Sequence, residues 1–517
     1  MKIIQKYFPL IISVLFIGLL IWLKSSAPIA DFGNYYFGSS LFMDGAAWSD
    51  LYDPYSFNRS VQELGASGLF LNFGVFPPIT VILGIPLTWF DPFWAKLMLN
   101  AFSSLLFLIT MIRLLGKLGI SKLKGVALLI IFTAPLLSNF YQGQIYLLVL
   151  MLLVEGWLAL EAERYWLSAI LWALAAMLKI FPFVLIIYLI WARQYKQIGR
   201  AGLAVVFICG ISLIIIPLEV WTTYLSDILP KIMAGEFNDP YSMNFQSMGV
   251  VLRTLFVEDA LLNPAPFLSS SFLFKFLETS WKFVVLFLTW RIMHGANNKW
   301  LSFSLLLLFA VVFSGYSTVY SLILLLPLAA FLIQHGFRKH LILLGLLFLA
   351  ISLKVSWFSA LPLVFQAPRL WLSLAVLIGM LVLSNATFSK RYIMYVLIFS
   401  AIISMKSIFV SNHTSSLVRL EPTSLLTTGL SAKKEGLMVE TFDQHGEHSQ
   451  FIQMKVDKVD TSSIWVEDHQ LVRENGQITS GIDQKRNPIL INDSSLFFLS
   501  DEGRGPGFFA VRKMTIY

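Results

Sequence analysis

Cysteine and charge are the two things that this 517-residue sequence has least of. Its single cysteine, Cys209, excludes an internal disulfide and a metal cluster built from several thiolates. Only 13% of the residues are charged, compared with about 25% in ordinary soluble domains. This scarcity of charge argues against a large soluble protein, whose surface needs many ionised side chains.

Apolar residues take up most of the remaining composition. Hydrophobic residues make up 57% of the chain, including 44 phenylalanines, and many apolar runs approach the roughly 20 residues that cross a bilayer. The net charge of +8 does not indicate nucleic-acid binding, because Lys and Arg cluster in short loops between these runs. We predict an all-α polytopic membrane protein with about 13 transmembrane helices and a small β-rich soluble domain at its C-terminus.

The placement of the basic loops predicts which segments lie outside. Residues 1–410 form the predicted transmembrane domain, whose first apolar span is retained rather than cleaved and whose last span is 392–410. The first outer loop covers 24–91, and a long outer loop covers 219–278. Residues 411–517, which alternate apolar and polar positions between turn signals, form the predicted extracytoplasmic β-rich domain.

The segment at 76–90 needs a separate decision, because it is apolar but short. It contains Pro77, Pro78 and Pro86, which interrupt a helix. If it crossed the membrane, the later basic loops would fall on the outer side, against the positive-inside rule. We therefore predict a juxtamembrane or re-entrant helix at 76–90.

The first outer loop opens on Asp31-Phe32-Gly33-Asn34-Tyr35-Tyr36, a carboxylate and two tyrosines beside an apolar span. An ionisable residue held within a membrane is by default a candidate functional residue, and the same argument applies more weakly to residues at the membrane surface. An ordinary solvated loop explains the same residues equally well. Isolated cations at the ends of spans on the same predicted side favour function, and the first of these is Lys179.

Lys179 is flanked by long apolar runs, so its ammonium must either snorkel to the membrane boundary or meet an anion such as a lipid phosphate. Arg253, in the long outer loop, has the geometry to clamp phosphate oxygens or to anchor a helix at the interface. Six further residues on the outer side are candidates for substrate binding: Tyr35, Tyr36, Asp53, Gln144, Asn244 and Tyr320.

No metal site or other cofactor is predicted, although the clustered aspartates of the first loop do not exclude a divalent ion. The run from Asp443 to His448 places two histidines beside two carboxylates, a pattern that a metal or a solvated polar turn explains. The polar turn is the preferred interpretation.

Several short motifs, taken in order, resemble glycosyltransferase family 87, a group of polytopic C-type glycosyltransferases that use polyprenyl-phosphate sugars, typically the mannose derivative. The motifs are Asp31-Phe32-Gly33-Asn34-Tyr35-Tyr36, Leu51-Tyr52-Asp53, Phe76-Pro77-Pro78 with Pro86-Leu87, Gly143-Gln144, Leu178-Lys179-Ile180-Phe181-Pro182, Asn244-Phe245-Gln246-Ser247 to Arg253, and Ser314 to Pro327-Leu328. The resemblance covers roughly residues 10–335. It implies that Asp31 is the catalytic aspartate and that Lys179 lies near the lipid phosphate.

The chain departs from the family pattern at one place. The family often has Ser-Pro followed by a histidine before the Pro-Leu span, where this chain has Ser314-Gly315 and Tyr320. A histidine-assisted step is therefore in doubt.

The residue types fit this chemistry by themselves. An acceptor hydroxyl that attacks an anomeric carbon needs a base, which the Asp31 carboxylate provides. The leaving polyprenyl phosphate needs cations more than an acid, and Lys179 and Arg253 are candidates for that role. A single displacement predicts inversion at the anomeric carbon.

The sequence thus predicts an inverting glycosyltransferase in the membrane, most simply a bacterial inner membrane, with its active site and C-terminal domain on the non-cytoplasmic face. Its expected partners are a polyprenyl-phosphate sugar, a glycolipid or glycan acceptor and membrane lipids, and no nucleic acid. Two alternatives stay open: a multi-span transporter or lipid flippase, and a membrane scaffold whose β domain binds an envelope component.

Overall fold

The computed structural model is mostly helical, with a β-rich region at its C-terminus. It describes residues 2–66, 68–234, 240–258, 263, 265–315, 317–384, 394, 398, 400–401, 403, 416–417, 426–443, 446–467, 470–474, 476–479, 485–500 and 509–516. Most of the predicted span 392–410 lies outside the described residues, as does His445 of the histidine and carboxylate run.

Twenty α-helices are found in the described part of the chain. They are α1 (Lys2–Leu23), α2 (Phe32–Met43), α3 (Trp48–Tyr52), α4 (Pro54–Glu63), α5 (Ile79–Gly84), α6 (Pro92–Lys117), α7 (Lys122–Ile131), α8 (Thr133–Gln142), α9 (Tyr146–Glu161), α10 (Tyr165–Leu178), α11 (Leu185–Trp191), α12 (Tyr195–Ser212), α13 (Leu218–Thr223), α14 (Leu229–Ala234), α15 (Met248–Phe256), α16 (Ser271–Ala296), α17 (Lys299–Phe313), α18 (Leu326–His335), α19 (Arg338–Ser352) and α20 (Pro368–Leu383). Short 3-10 segments include Phe73–Val75, Ile85–Trp89, Phe181–Val184 and Tyr320–Leu325.

The helices are shorter than the predicted spans. Among the described residues, α6 is the helix long and apolar enough to cross a membrane alone, and α7 and α8 pass the same test together although they are bent by 61°. The predicted number of about 13 crossings is therefore not confirmed. One reason is that apolar runs do not form continuous helices: after α10 the chain forms the 3-10 turn Phe181–Val184, in which Pro182 cannot donate a helical hydrogen bond, and α11 begins only at Leu185.

Helix α16 also begins earlier than expected, inside the predicted outer loop 219–278. Its N-cap is Ser270, whose hydroxyl accepts a hydrogen bond from the Leu273 amide at 3.2 Å. Glu278 then pairs with Lys275 at 3.6 Å and Lys282 at 2.9 Å, spacings that stabilise a helical turn. These local signals extend the helix beyond its apolar part.

The main core surrounds α17, in which every residue from Trp300 to Val312 is buried. A helix that is apolar on all sides requires neighbours on all sides. The core around it draws residues from α6, α8, α9 and α18. The ends of these helices hold the loops described below.

Helix α2, which follows Asp31, packs closely against α5. Gly84 permits the contact, because a Cβ there would lie 2.7 Å from the Tyr35 carbonyl oxygen. The Ser39 hydroxyl lies 2.7 Å from the Val81 carbonyl oxygen and joins the two helices. Helix α5 and the 3-10 turn after it contain six and five residues. Together they span less than about 20 Å, short of the roughly 30 Å of a hydrocarbon core.

The C-terminal region contains eleven strands in its described residues: β1 (Ser416–Leu417), β2 (Leu426–Lys433), β3 (Gly436–Asp443), β4 (Gly446–Gln453), β5 (Val459–Asp460), β6 (Ile464–Glu467), β7 (Gln470–Arg473), β8 (Gly476–Gln477), β9 (Lys485–Ile491), β10 (Ser495–Ser500) and β11 (Ala510–Thr515). They form antiparallel sheets in the orders β1-β11-β10-β9-β5, β2-β3-β4 and β6-β7-β8. Alternate residues of β3, β9, β10 and β11 fill its core.

The sheet β2-β3-β4 contacts helix α4 of the first loop. The Tyr55 hydroxyl donates a hydrogen bond to Glu447 Oε1 at 2.6 Å, and its ring lies edge-on to Phe442 at 5.3 Å. Arg59 adds a long ion pair to Glu447 at 3.9 Å. The β-rich region therefore rests on the same loop that carries Asp31.

The turn between α8 and α9 depends on glycine. Gly143 ends α8 with φ +65°, in the left-handed region that glycine adopts without steric cost. A Cβ at this position would lie 2.5 Å from the Cβ of Phe32. The turn can therefore approach α2 only because residue 143 has no side chain.

We expect Gly143→Ala to destabilise the protein more than Gly119→Ala does. Both glycines have φ +65°, but a Cβ on Gly119 has no neighbour within 4 Å. Gly119→Ala should therefore cost only the left-handed strain, about 1 kcal/mol, whereas Gly143→Ala adds about 1–3 kcal/mol of overpacking. Denaturant unfolding in detergent measures both, and equal losses would show that the contact with Phe32 is unimportant.

Candidate active site

Asp31 stands at the start of α2 but does not cap it. Its backbone is at the N-cap position, yet its side chain makes no capping hydrogen bond. Oδ2 instead accepts a hydrogen bond from Gln144 Nε2 at 2.8 Å. The preceding Ala30 has φ +50°, a left-handed conformation that costs a residue with a side chain about 1–2 kcal/mol. Such strain often accompanies functional residues.

Gln144 and Tyr35 continue this hydrogen-bond chain. Gln144 is only 3% exposed, and its Oε1 accepts a hydrogen bond from the Tyr35 hydroxyl at 3.0 Å. The amide thus donates to Asp31 with its nitrogen and accepts from Tyr35 with its oxygen, which fixes its orientation. Among the described residues no side-chain hydrogen bond to the second carboxylate oxygen of Asp31 is found, so that oxygen is available to another partner.

Lys179 projects its ammonium into a group of aromatic rings. It ends α10 in an extended conformation. Nζ lies 4.4 Å from the ring centre of Phe76, 5.4 Å from that of Tyr146 and 6.0 Å from that of Tyr35. These rings, the aromatic cage, attract the cation through their electron-rich faces. In the described part of the chain, the close neighbours of this ammonium are therefore ring faces, and its hydrogen-bonding capacity remains for an anion.

Tyr320 brings a later segment of the chain to the site. Its ring lies 5.2 Å from that of Tyr146, which itself stacks on Phe181 at 6.0 Å. The Tyr320 carbonyl oxygen accepts a hydrogen bond from Asn139 Nδ2 at 3.0 Å, so helix α8 holds this turn in place. The site therefore joins segments separated by nearly three hundred residues of sequence.

The charges of Asp31 and Lys179 influence each other. Burial raises the pKa of Asp31 above its usual range, while the Gln144 hydrogen bond and the positive charges of Lys179 and Lys96 oppose that rise. Burial also lowers the pKa of Lys179 to about 8, although the negative charge of Asp31 works against this. Burial thus favours the neutral form of both groups, whereas the charge of each group stabilises the ionised form of the other.

The structure brings five of the residues singled out from the sequence into this site and places the other four elsewhere. Tyr36 donates a hydrogen bond to the Phe90 carbonyl at 3.0 Å, and Asp53 caps α4 by accepting from the Ser56 amide at 2.8 Å. Arg253 lies over the ring of Phe274 at 5.1 Å. Asn244 is exposed in the loop before α15. Substrate and phosphate roles for these four residues stay predictions.

Sequence reasoning missed three residues of the site. Phe76 and Tyr146 form the aromatic cage together with Tyr35; Phe76 was named only as part of a family motif, and Tyr146 comes two residues after Gln144. Lys96 is only 6% exposed inside the apolar helix α6. A buried cation in an apolar run was the signal that could have identified it.

A cavity in the described part of the chain lies at the other end of helix α9. It has a volume of about 480 Å³ and is lined by Glu161, Tyr165, Arg193 and His294, among others. Helix α9 runs from Tyr146 in the candidate site to Glu161 in this cavity. Its 16 residues give a separation of about 24 Å. The cavity is therefore separate from the Asp31 site.

A buried carboxylate beside a caged ammonium is a site for group transfer, in which one group takes a proton and the other holds a leaving anion. The comparisons with known proteins place this chemistry in a class, the glycosyltransferases. Residues 75–315 match the sequence profile of Glycosyltransferase family 87. The match covers slightly less than half of the chain; it confirms the resemblance stated from the motifs and supports a glycosyltransferase activity.

A curated relative supports the same class. The chain is 25% identical over 306 residues to the "Polyprenol-phosphate-mannose-dependent alpha-(1-2)-phosphatidylinositol pentamannoside mannosyltransferase" of Mycolicibacterium smegmatis, covering 57% of this chain and 69% of the relative. The family profile includes Gln144 and Lys179 but begins after Asp31 and ends before Tyr320. Asp31 and Tyr320 are therefore assigned to the site by the fold and not by the family profile.

We expect Asp31→Asn to raise the thermal midpoint of unfolding near neutral pH. The folded-state pKa of Asp31 is above its unfolded value, so the stability associated with its protonated form is complete below the unfolded pKa and is lost as pH rises through the folded pKa. Asparagine removes the buried charge and can still accept the Gln144 hydrogen bond. The advantage of the variant should therefore shrink as pH is lowered towards about 4.

Thermal scans in detergent at several pH values check this expectation. Asp91→Asn is the matched control, because Asp91 is exposed and caps α6 by accepting from the Phe93 amide at 2.9 Å. The control makes the same chemical change outside the buried site. A midpoint for Asp31→Asn that follows the control at every pH would contradict the expectation.

Proposed function

We propose that the protein is an inverting glycosyltransferase that moves mannose from a polyprenyl-phosphate donor to a hydroxyl group of a glycolipid acceptor. The observation that carries the proposal is the arrangement of Asp31 and Lys179 within one aromatic site, each altering the charge state of the other. The donor and the class of acceptor follow the name of the mycobacterial relative. Inversion is proposed because Asp31 is the one carboxylate that the described residues place at the site.

The proposed step is balanced as a single displacement. The acceptor O–H bond breaks and its proton goes to the free oxygen of Asp31, while the acceptor oxygen bonds to the anomeric carbon. The bond from that carbon to the phosphate oxygen breaks, and its electron pair leaves with the polyprenyl phosphate. Lys179 lies where it can bind that phosphate, and Gln144 keeps the carboxylate in position.

The aromatic rings have a second use in this proposal. The Phe76, Tyr146 and Tyr35 rings exclude water from the ammonium, which strengthens its attraction for a phosphate. Ring faces also suit the apolar face of a sugar. A donor with an anionic phosphate and a neutral sugar therefore matches both parts of the site.

The membrane arrangement is also a proposal. Residues 1–410 would form the membrane domain, crossing about 13 times through helices that are individually short, with segment 76–90 at the membrane surface. The active site and the region 411–517 would lie on the non-cytoplasmic face of a bacterial inner membrane. The contact between Tyr55 and Glu447 supports a shared side, because it joins the first loop to the β-rich region.

The first test of the function is consumption of radiolabelled polyprenyl-phosphate mannose by membranes that contain wild type or Asp31→Asn at matched expression. We expect the variant to lose about 10²-fold or more of the rate, because the base is removed. Lys179→Met should also slow turnover, whereas Lys117→Met, at the far end of α6, should not. Equal consumption by wild type and Asp31→Asn would reject Asp31 as the base.

The β-rich region is proposed to influence acceptor use. Tyr55→Ala removes the hydrogen bond to Glu447 and the ring contact with Phe442, so the region should dock less firmly. We expect a several-fold higher KM for the acceptor and an unchanged KM for the donor, with Glu63→Ala, an exposed change on the same helix, as control. Unchanged acceptor kinetics for Tyr55→Ala would contradict this role.

A further inference from the structure

Lys96 is a buried lysine that the proposed reaction does not use directly. It lies near the start of α6, and its ammonium donates hydrogen bonds to two backbone carbonyl oxygens, those of Pro28 at 2.6 Å and Tyr141 at 2.5 Å. It also lies 5.9 Å from the centre of the Tyr141 ring. A buried cation is costly unless its donors are satisfied, so this geometry accounts for its retention in an apolar helix.

The two carbonyl groups belong to the two segments that meet in the active site. Pro28 precedes Asp31 by three residues, and Tyr141 precedes Gln144 by three residues. The ammonium of Lys96, on helix α6, therefore connects both segments. In each segment the point of attachment lies three residues before the residue that takes part in the hydrogen bond between Asp31 and Gln144.

The stem of Lys96 contributes to the same arrangement. Its Cε lies 3.2 Å from the position that a Cβ on Gly143 would occupy, so the methylene groups pack directly on the turn that presents Gln144. The ammonium holds the two segments together by hydrogen bonds, and the methylene stem limits how the turn at Gly143 can move.

We infer that Lys96 is a positioning residue for the transfer reaction, which clamps the Asp31 segment to the Gln144 turn and so fixes the direction of the catalytic carboxylate. The inference rests on the proposed role of Asp31 as the base. Lys96 acts through that carboxylate and through Gln144, and it does not contact the substrate.

The charge of Lys96 has a second effect on the same group. Its positive charge stabilises ionised Asp31, together with the Gln144 hydrogen bond and Lys179. Among the described residues, the other titratable groups that interact with Asp31 are the hydroxyls of Tyr35, Tyr146 and Tyr320. Loss of the Lys96 charge therefore raises the pKa of Asp31 further, and the base is ionised only at higher pH.

The test compares Lys96→Met, Lys96→Arg and Lys117→Met in the full-length protein. Methionine keeps the stem and removes the charge and the donors, arginine keeps the charge and donors, and Lys117→Met makes the same change at the far end of the same helix. The rate of donor consumption is measured against pH, together with the donor KM and the thermal midpoint. Asp31→Asn is assayed in parallel.

For Lys96→Met we expect a fall in kcat of about 10- to 100-fold, a nearly unchanged donor KM and an acid limb of the pH–rate profile that moves to higher pH. Lys96→Arg should return the acid limb towards the wild-type position and recover part of kcat. Lys117→Met should match wild type in all three measurements.

The outcomes separate this inference from the proposed function. If Asp31→Asn keeps its activity, the base is misassigned and the inference falls with it. If Asp31→Asn is inactive but Lys96→Met has the wild-type kcat and profile, only the inference is overturned. A lower thermal midpoint with a fall in rate, an unshifted profile and no rescue by arginine would reduce Lys96 to a structural role and also overturn it.

Discussion

The central constraint in this structure is a carboxylate that is partly removed from water and paired with an amide instead of a cation. Asp31 accepts from Gln144 at 2.8 Å, and burial raises its pKa. A direct ion pair with a lysine would keep the carboxylate ionised but would hold it as a weak base. Partial burial raises the pKa of Asp31, which makes its carboxylate a stronger base, while the two cations at a distance favour its ionised form.

Much of the surrounding fold can be understood as support for this group. Gly143 lets the α8–α9 turn reach Phe32, Gly84 lets α5 reach α2, and Lys96 joins the loops on both sides. Each is a close backbone approach or a buried hydrogen bond. Its loss would change the orientation of the Asp31 carboxylate while leaving the carboxylate itself chemically unchanged. Rigid elements of this kind are what hold reacting groups within a fraction of an ångström of the productive geometry.

The structure brings together some, but not all, of the residues that were singled out from the sequence. Asp31, Gln144 and Lys179 could be named because their residue types are unusual at the ends of apolar runs, and the fold brings them together with Tyr35 and Tyr320. Asp53 was singled out by the same reasoning, yet its carboxylate caps α4. Lys96 and Tyr146 were missed because they lie within apolar helices. Hydropathy averaged over such a segment predicts a membrane span and does not single out one polar residue within it. The helix lengths were also not predicted, because the 3-10 turn that contains Pro182 delays the start of α11, and the Glu278 ion pairs extend α16 past its apolar part.

The balance of charge in the proposed reaction explains why one base and one caged cation suffice. The donor carries one negative charge on its phosphodiester, and Asp31 carries another. As the proton reaches Asp31 the carboxylate becomes neutral, and the departing phosphate gains the charge that Asp31 has lost. Negative charge thus moves across the site from Asp31 towards Lys179 while its total stays constant, so the surroundings need little reorganisation. Burial lowers the pKa of Lys179 to about 8, and the growing charge of the phosphate favours its protonated form at the moment when the leaving group needs it.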